Sequence, residues 1–512
     1  MNGAELIVRA AIENGIEACF ANPGTTEIPL VAALDSVDGL KAVLCLHECV
    51  CSGAADGYAR MLDKPAMVLL HLGPGLANAT SNLHNARRAH SPVITVVGEH
   101  STWHRELDPP LAMDIQAIAS ATAGWQRTAS SSGSLARDMA EAIKAARAGQ
   151  GAILIVPYDL QMQSSDEKPL RIADEPVRAV DHAAIEASGV LLLSGAKTAL
   201  VIGGRALGVK GLLAASRIRS AAGCDLLCEG FPARIERGTG LPDVNRIPYL
   251  PEMAMDLLGR YEAFIFAGAP EPVTFFGYRG GPGRILKSPQ RHLHLVDPGS
   301  DASLALAHLA DALGAGPVPP EDCLVKPSRP QMPEGALTGA NACSVIAALQ
   351  PEGAIVVDES ITNGIWYYPA TLGVPPFTLL TLTGGSLGQG PASALGAAYA
   401  CPGRPVINIQ ADGSAMYTVQ ALWTQARQKL NVTTLIFSNR SYDILKLELA
   451  RSGVLMPGPS AMGLTDLAGI DWVSLGTSMG VPSAAVNTAE ELAQELSKAL
   501  GEPGPNLIQM NI

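Results

Sequence analysis

Short apolar runs that alternate with helically spaced stretches constrain this 512-residue chain more than any other feature of its sequence. In the first third, AMVLLHL, VITVVGE and AILIVP alternate with ELIVRAAIENG and ATSNLHNARRAH, whose apolar residues recur at helical spacing. That alternation marks a parallel sheet with crossover helices. It returns in TALVIGG, AFIFAG and HLHLVD, and again in AIVVDES, PVINIQADGS, TTLIFSN and LIQMNI. The expected fold class is therefore α/β, with three parallel-sheet domains. Two polar, proline-containing stretches, 161–180 and 314–339, divide the blocks and predict domains at 1–165, 181–314 and 338–512.

Composition narrows the function. With 47% hydrophobic and 16% charged residues, the chain has ample material for buried cores and little of the character of disorder. A net charge of −12 gives no general attraction for nucleic acid or anionic membranes, so neither is an expected partner. Glu5, Arg9 and Glu13 interrupt the apolar run that a signal peptide needs, and no stretch is long enough to span a bilayer. The nine cysteines are odd in number and lack the paired spacing of a zinc knuckle. They read as reduced, mostly buried thiols of a cytoplasmic protein.

The chemistry concentrates in three segments. In 406–445 one strand ends at Ala411-Asp412-Gly413-Ser414 and the next at Ser438-Asn439-Arg440-Ser441. Ligands gather at the carboxyl ends of parallel strands, and the intervening helix brings Asp412 and Asn439 to one rim. A carboxylate, an amide oxygen and a main-chain carbonyl, placed at Ser441, form a hard-oxygen set suited to Mg²⁺. Gly413 and Ser414 open a helix and offer donors to a diphosphate. An isolated Asp-Gly-Ser is equally compatible with a turn and helix cap. In 44–61, Glu48 precedes a helix of small residues, including Ser52, Gly53, Ala55 and Gly57. Small residues there permit close helix packing, while the placement of Glu48 predicts a buried carboxyl with a raised pKa. In 379–400 the glycines permit close backbone approach to a ligand, without the spacing of a dinucleotide fingerprint.

The segment from Asp412 to Asn439 resembles the diphosphate- and metal-binding motif of thiamine-diphosphate enzymes, with Ala411 in place of the first glycine of Gly-Asp-Gly. The resemblance covers essentially the whole chain and implies a pyrimidine-binding, a central and a diphosphate-binding domain. It makes Glu48 the glutamate that hydrogen-bonds the aminopyrimidine N1′ and Leu387 the wedge beneath the cofactor. It also implies cofactor contacts from Thr362, Gly385, Asp412, Gly413, Ser414, Asn439 and Tyr442, and Mg²⁺ ligation by Asp412, Asn439 and Ser441. The implied assembly is a homodimer or homotetramer with its sites between subunits.

Within the family the pattern is similar to benzoylformate decarboxylases and to acetolactate synthase large subunits. His71, at a strand end, and Thr25 match catalytic and pocket positions of the decarboxylases, where a histidine protonates the intermediate left by CO₂. Other features point the opposite way. Gly73-Pro74-Gly75 with Leu76-Ala77-Asn78 is closer to the synthases, and Phe275 and Phe276 stand where the decarboxylases carry a second histidine. Glu448 shares a helix face with Ile444, a face that is apolar in the decarboxylases; a solvated helix charge explains it equally well. The expected reaction is nonoxidative decarboxylation of a small 2-oxo acid to an aldehyde. The alternatives are carboligation of the acetolactate synthase type and a non-catalytic or regulatory paralogue. Whether FAD, the cofactor of true acetolactate synthases, binds is left open by the sequence, since the central block shows no clear nucleotide fingerprint.

Overall fold

The computed structural model of the protein describes residues 1–173 and 180–512, so part of the expected linker at 161–180 lies outside the described residues. Backbone contacts divide the chain into two compact units, one of residues 1–174, 330–368 and 382–512, the other of 175–329 and 369–381.

The first unit begins with strands β1 (Ala18–Asn22), β2 (Lys41–Leu44), β3 (Ala66–Leu70), β4 (Val93–Glu99), β5 (Trp125–Thr128) and β6 (Ala152–Pro157). They form a six-stranded sheet in the order β2-β1-β3-β4-β6-β5, parallel throughout. From β1 the chain steps to β2 on one side, while β3 and β4 continue on the other. Such a reversal leaves a crevice beyond the carboxyl ends of β1 and β3, the usual ligand position in an open α/β sheet. Leu6, Ile7, Met67, Ile94, Leu154 and Ile143 belong to the core that fixes this sheet against its helices.

The second unit holds β7 (Thr198–Ile202), β8 (Asp225–Cys228), β9 (Ile235–Arg237), β10 (Asn245–Arg246), β11 (Ala263–Ala267) and β12 (Arg291–Val296). Its sheet runs β10-β8-β7-β11-β12, again parallel. Between 314 and 339, only a 3-10 turn at Glu321–Cys323 is regular up to the helix that begins at Gly339, as the Pro/Gly content predicts.

The chain continues with β13 (Ile355–Glu359), β14 (Phe377–Thr381), β15 (Val406–Ala411), β16 (Val432–Ser438), β17 (Ser483–Val486) and β18 (Asn506–Asn511). Strand β14 belongs to the second unit and pairs antiparallel with β9. In the first unit the order is β17-β18-β16-β15-β13, with parallel pairing. Each apolar run singled out in the sequence forms a strand. The less apolar β2, β5, β9, β10 and β17 lie outside that pattern.

Helix 48–62 packs against helix 389–400 with backbone nearly touching backbone. A Cβ on Gly57 would strike the main chain of Ser393, and one on Gly396 would strike that of Ala54. The small residues therefore have a packing function. Asp56 and Arg60 form a buried ion pair at 2.7 Å in the same interface. Ser91 and Gln389 donate to Asp56 as well, each at 2.5 Å. All nine cysteines are free thiols, most of them buried. Among the described residues no helix is long and apolar enough to cross a membrane.

Candidate active site

At the carboxyl end of β3, His71 caps helix 72–88 and turns its ring toward the loop that follows β1. Its Nδ1 lies 2.9 Å from Glu27 Oε2 and 3.1 Å from Thr26 Oγ1. Glu27 is fully buried. It accepts from the Gly24 N–H at 2.7 Å and the Thr26 hydroxyl at 2.5 Å, so the carboxylate is well satisfied. A carboxylate on Nδ1 assigns the ring proton to that nitrogen and leaves Nε2 to exchange a proton with a ligand. Gly24 has to be glycine, because a Cβ there would run into the His71 ring. Thr25 is exposed; the hydroxyl that reaches His71 belongs to its neighbour Thr26. Sequence reasoning missed Glu27, whose only signal is that it follows the Asn-Pro-Gly turn of a strand end.

Glu48 opens helix 48–62, with His47 as the capping residue. Its Oε2 accepts from Asn78 Nδ2 at 3.0 Å. The expected burial of Glu48 is not met in the single chain, where it is half-buried. The helix is buried from Cys49 through Met61, and Glu48, its first residue, stands at the edge of that burial. The carboxylate is thus presented rather than enclosed.

On the last sheet, Asp412 is 2% exposed. It accepts from its neighbour Gly413 N–H at 2.8 Å and from Arg440 N–H at 2.7 Å. Burial pushes its carboxyl above the usual aspartate value against those hydrogen bonds, and the nearby Asp443 charge adds to the rise. Asn439 donates to Asp443 Oδ2 at 2.8 Å and accepts from Ser441 N–H at 3.0 Å. The buried hydroxyl of Ser441 has no partner. Two carboxylates, an amide oxygen and an orphaned hydroxyl converge here, and Lys446 pairs with the outer carboxylate, Asp443, at 3.3 Å. This hard-oxygen set fits Mg²⁺. Among the described residues no three His, Cys, Asp or Glu side chains gather as a metal site, so a cation here would draw on amide, hydroxyl and main-chain oxygens as well.

The donors expected of Gly413 and Ser414 are engaged otherwise. Gly413 N–H is held by Asp412, and the Ser414 hydroxyl donates to the main-chain oxygens of Glu359 and Ala411, at 3.1 Å each. Short-range bonds win because the helical turn at 412–415 is tight. Tyr442 is half-buried with its ring over Gly413. Thr362 stands half-buried at the start of a 3-10 turn and makes no capping bond.

Gly385 has φ +73°, a conformation suited to glycine. Leu387 is half-buried rather than a core leucine. Its loop is clamped on both sides: Asn85 bonds both the N–H and the carbonyl of Ser386, and Glu359 accepts from Gly388 and Gly390. Glu448 is tied to Arg451 at 3.6 Å on its own helix, which accounts for it as a surface charge. In the second unit, Phe275 and Phe276 pack edge-on at 5.0 Å.

Leu72, Ile361 and Arg440 adopt left-handed backbone, at φ +53°, +53° and +56°. Each follows the carboxyl end of a strand, β3, β13 and β16. Left-handed geometry in a β-branched residue such as Ile361 is costly and persists where surrounding structure holds it, commonly at functional sites.

Comparison with known proteins agrees with this geometry. The N-terminal TPP-binding domain of thiamine pyrophosphate enzymes matches residues 1–120, and the C-terminal TPP-binding domain matches residues 366–510. The chain is 45% identical to a Mycobacterium tuberculosis protein named "Putative acetolactate synthase large subunit", over 100% of this chain and 99% of that one. It is 28% identical to benzoylformate decarboxylase of Pseudomonas aeruginosa, over 97% of this chain and 96% of that one. A solved structure of the Rhodococcus jostii thiamine diphosphate-dependent 4-hydroxybenzoylformate decarboxylase shares the fold. Its TM-score is 0.87 at 24% identity, covering 99% of this chain and 98% of that one. The chain belongs to the thiamine-diphosphate-dependent enzymes, in the group that contains acetolactate synthases and benzoylformate decarboxylases.

Proposed function

We propose that the protein binds thiamine diphosphate with Mg²⁺ and decarboxylates a small 2-oxo acid to the corresponding aldehyde without oxidation. The observation that carries this reading is the buried Glu27 carboxylate on His71 Nδ1, which leaves Nε2 at the sheet's switch point to take up a proton and hand it on as the imidazolium. The cofactor, when bound, supplies the carbanion chemistry. Glu48 holds the aminopyrimidine through N1′, and Leu387 supports the cofactor from below. Asp412, Asn439 and the Ser441 carbonyl hold the cation. Thr362, Gly385, Gly413, Ser414 and Tyr442 line the cofactor's path. The main-chain groups of 413 and 414 serve by shape more than by donation, since their nearest donors are already used. His71 delivers a proton to the carbon that CO₂ has left, and Thr25 or Thr26 orients the substrate carboxylate.

The half-exposure of Glu48 supports a site completed by a second copy of the chain, in a homodimer or homotetramer. Both halves of the site carry exposed apolar neighbours: Leu44 and Leu46 near Glu48, and Met416 and Tyr417 beyond Asp412. Exposed apolar groups in such positions suit a subunit interface. The expected domains 1–165, 181–314 and 338–512 then take the pyrimidine-binding, central and diphosphate-binding roles.

A second reading, carboligation, is supported by the name of the relative at 45% identity. The two readings separate when a panel of 2-oxo acids is assayed for CO₂ release and for products, with and without an acceptor aldehyde. Free aldehyde as the main product supports decarboxylation; a dominant 2-hydroxyketone reverses the ranking.

A further inference from the structure

Glu359, the last residue of β13, is a buried acid that the proposed chemistry does not use. It is 2% exposed. Its two carboxylate oxygens accept from Gly388 N–H and Gly390 N–H, at 2.7 Å each. The amide of Gln389 adds a further bond, while burial acts against all of them and pushes the carboxyl up to about 8. Its main-chain carbonyl separately accepts the Ser414 hydroxyl at 3.1 Å. One residue therefore grips two segments that sequence places far apart: the loop carrying Leu387 and the turn that begins with Asp412. We propose that Glu359 is a positioning residue that sets the register of the Leu387 loop against the Asp412 turn, so that the cofactor cradle is formed before the cofactor arrives.

The loop needs such an anchor. Gly388 has φ +91°, and its N–H and the next two amides point toward one place, where only an acceptor with two oxygens can satisfy them together. Gly388's carbonyl is held from other directions, by Thr418 Oγ1 at 2.8 Å and Asn82 Nδ2 at 3.2 Å. Asn82 also donates to the main chain of Cys49, the neighbour of Glu48, at 2.9 Å. Removing the carboxylate leaves buried amides unpaired and frees the segment that carries Leu387. A Cβ at Gly390 would run into the Gln410 amide and come within 2.8 Å of Glu359 Oε2, so the loop is closely packed around its anchor. A preformed cradle lowers the ordering cost of binding, so the effect belongs in affinity more than in the chemical step.

The inference rests on the thiamine-diphosphate reading of the site, and the test separates the two. In Glu359→Gln, one acceptor becomes an NH₂ group facing N–H donors. Hydrogen exchange of the cofactor-free full-length protein should then quicken at least about ten-fold for the peptide containing 385–391. The Kd for thiamine diphosphate with Mg²⁺, read by calorimetry, should rise about ten-fold while kcat at saturating cofactor falls less than about three-fold. Glu359→Asp, which keeps the carboxylate but draws it back by one methylene, gives a weaker form of the same pattern should the first variant fail to fold. Unchanged exchange and unchanged Kd overturn the proposal, as does a large loss of kcat at an unchanged Kd. If the wild-type protein binds no thiamine diphosphate, the cofactor reading fails, and the exchange measurement still decides what Glu359 holds.

Discussion

The rims of the two sheets in the first unit solve the problem of a buried acid in opposite ways. Beyond β1 and β3, Glu27 is enclosed, yet Gly24, Thr26 and His71 satisfy it. Beyond β15 and β16, Asp412 is almost as deeply buried but shares its surroundings with Asp443 and the orphaned Ser441 hydroxyl. An acid at low dielectric is stable when hydrogen-bonded and costly beside a second acid without a cation. The first rim is complete as it stands, and on the proposed reading it is the proton-transfer pair. The second, where amides hold Asp412 and Lys446 pairs with Asp443, is on the proposed reading a receptor that a divalent cation completes.

That contrast yields tests of graded size. The largest effect is expected from the residue that belongs to neither arrangement. Glu48→Gln should lower turnover by at least about 10³-fold, since general acid–base groups contribute about 10²–10⁴. Cofactor binding and the melting temperature should stay near wild type. Turnover within ten-fold of wild type would show that Glu48 does not activate the cofactor. At the complete rim, His71→Ala should slow aldehyde formation about 100-fold, and Glu27→Gln about ten-fold because the ring remains but loses its fixed tautomer. Equal losses from the two would mean that Glu27 does more than orient the ring. At the receptor rim, Mg²⁺ with thiamine diphosphate at about 100 times Kd should add about 2.7 kcal/mol of stability. Asp412→Ala should abolish the resulting thermal shift, whereas a shift retained in that variant would place the metal elsewhere.

The difference between the rims also explains what could be read from sequence. Strands rich in Val, Ile and Leu, such as β3, β4 and β16, declare themselves because burial on both faces demands continuous apolar residues. The placement of Asp412 and Asn439 on one rim was legible because each follows the carboxyl end of an apolar strand, and the two strands pair. Glu27 and Glu359 were not. Each is a single acid whose meaning depends on amides and hydroxyls brought in by other segments, Gly388 and Gly390 among them, and no local pattern announces such partners. The burial expected of Glu48 failed for a related reason. Periodicity shows that a helix packs, but not that its burial begins at Cys49 and leaves the first residue, Glu48, at the edge.

The smallest effect lies in pH. Burial raises the Asp412 carboxyl, so the folded apo-protein binds its proton more tightly than the unfolded chain does. This contribution to apo stability is present at low pH and is lost as pH rises through the raised value. Mg²⁺ demands the opposite form, because ligation requires the carboxylate. Cation affinity should therefore weaken as pH falls, beginning at a higher pH than an ordinary aspartate would dictate. Calorimetric Mg²⁺ titrations between about pH 4.5 and 8, with thiamine diphosphate saturating, should show affinity falling up to about ten-fold for each unit once Asp412 is protonated. Asp443→Asn removes the neighbouring charge that helps to raise Asp412, so the fall should then begin at lower pH. A profile that does not move in that variant would mean that the Asp443 charge does not set the titration of Asp412, and the receptor rim would lose the feature that most separates it from its counterpart.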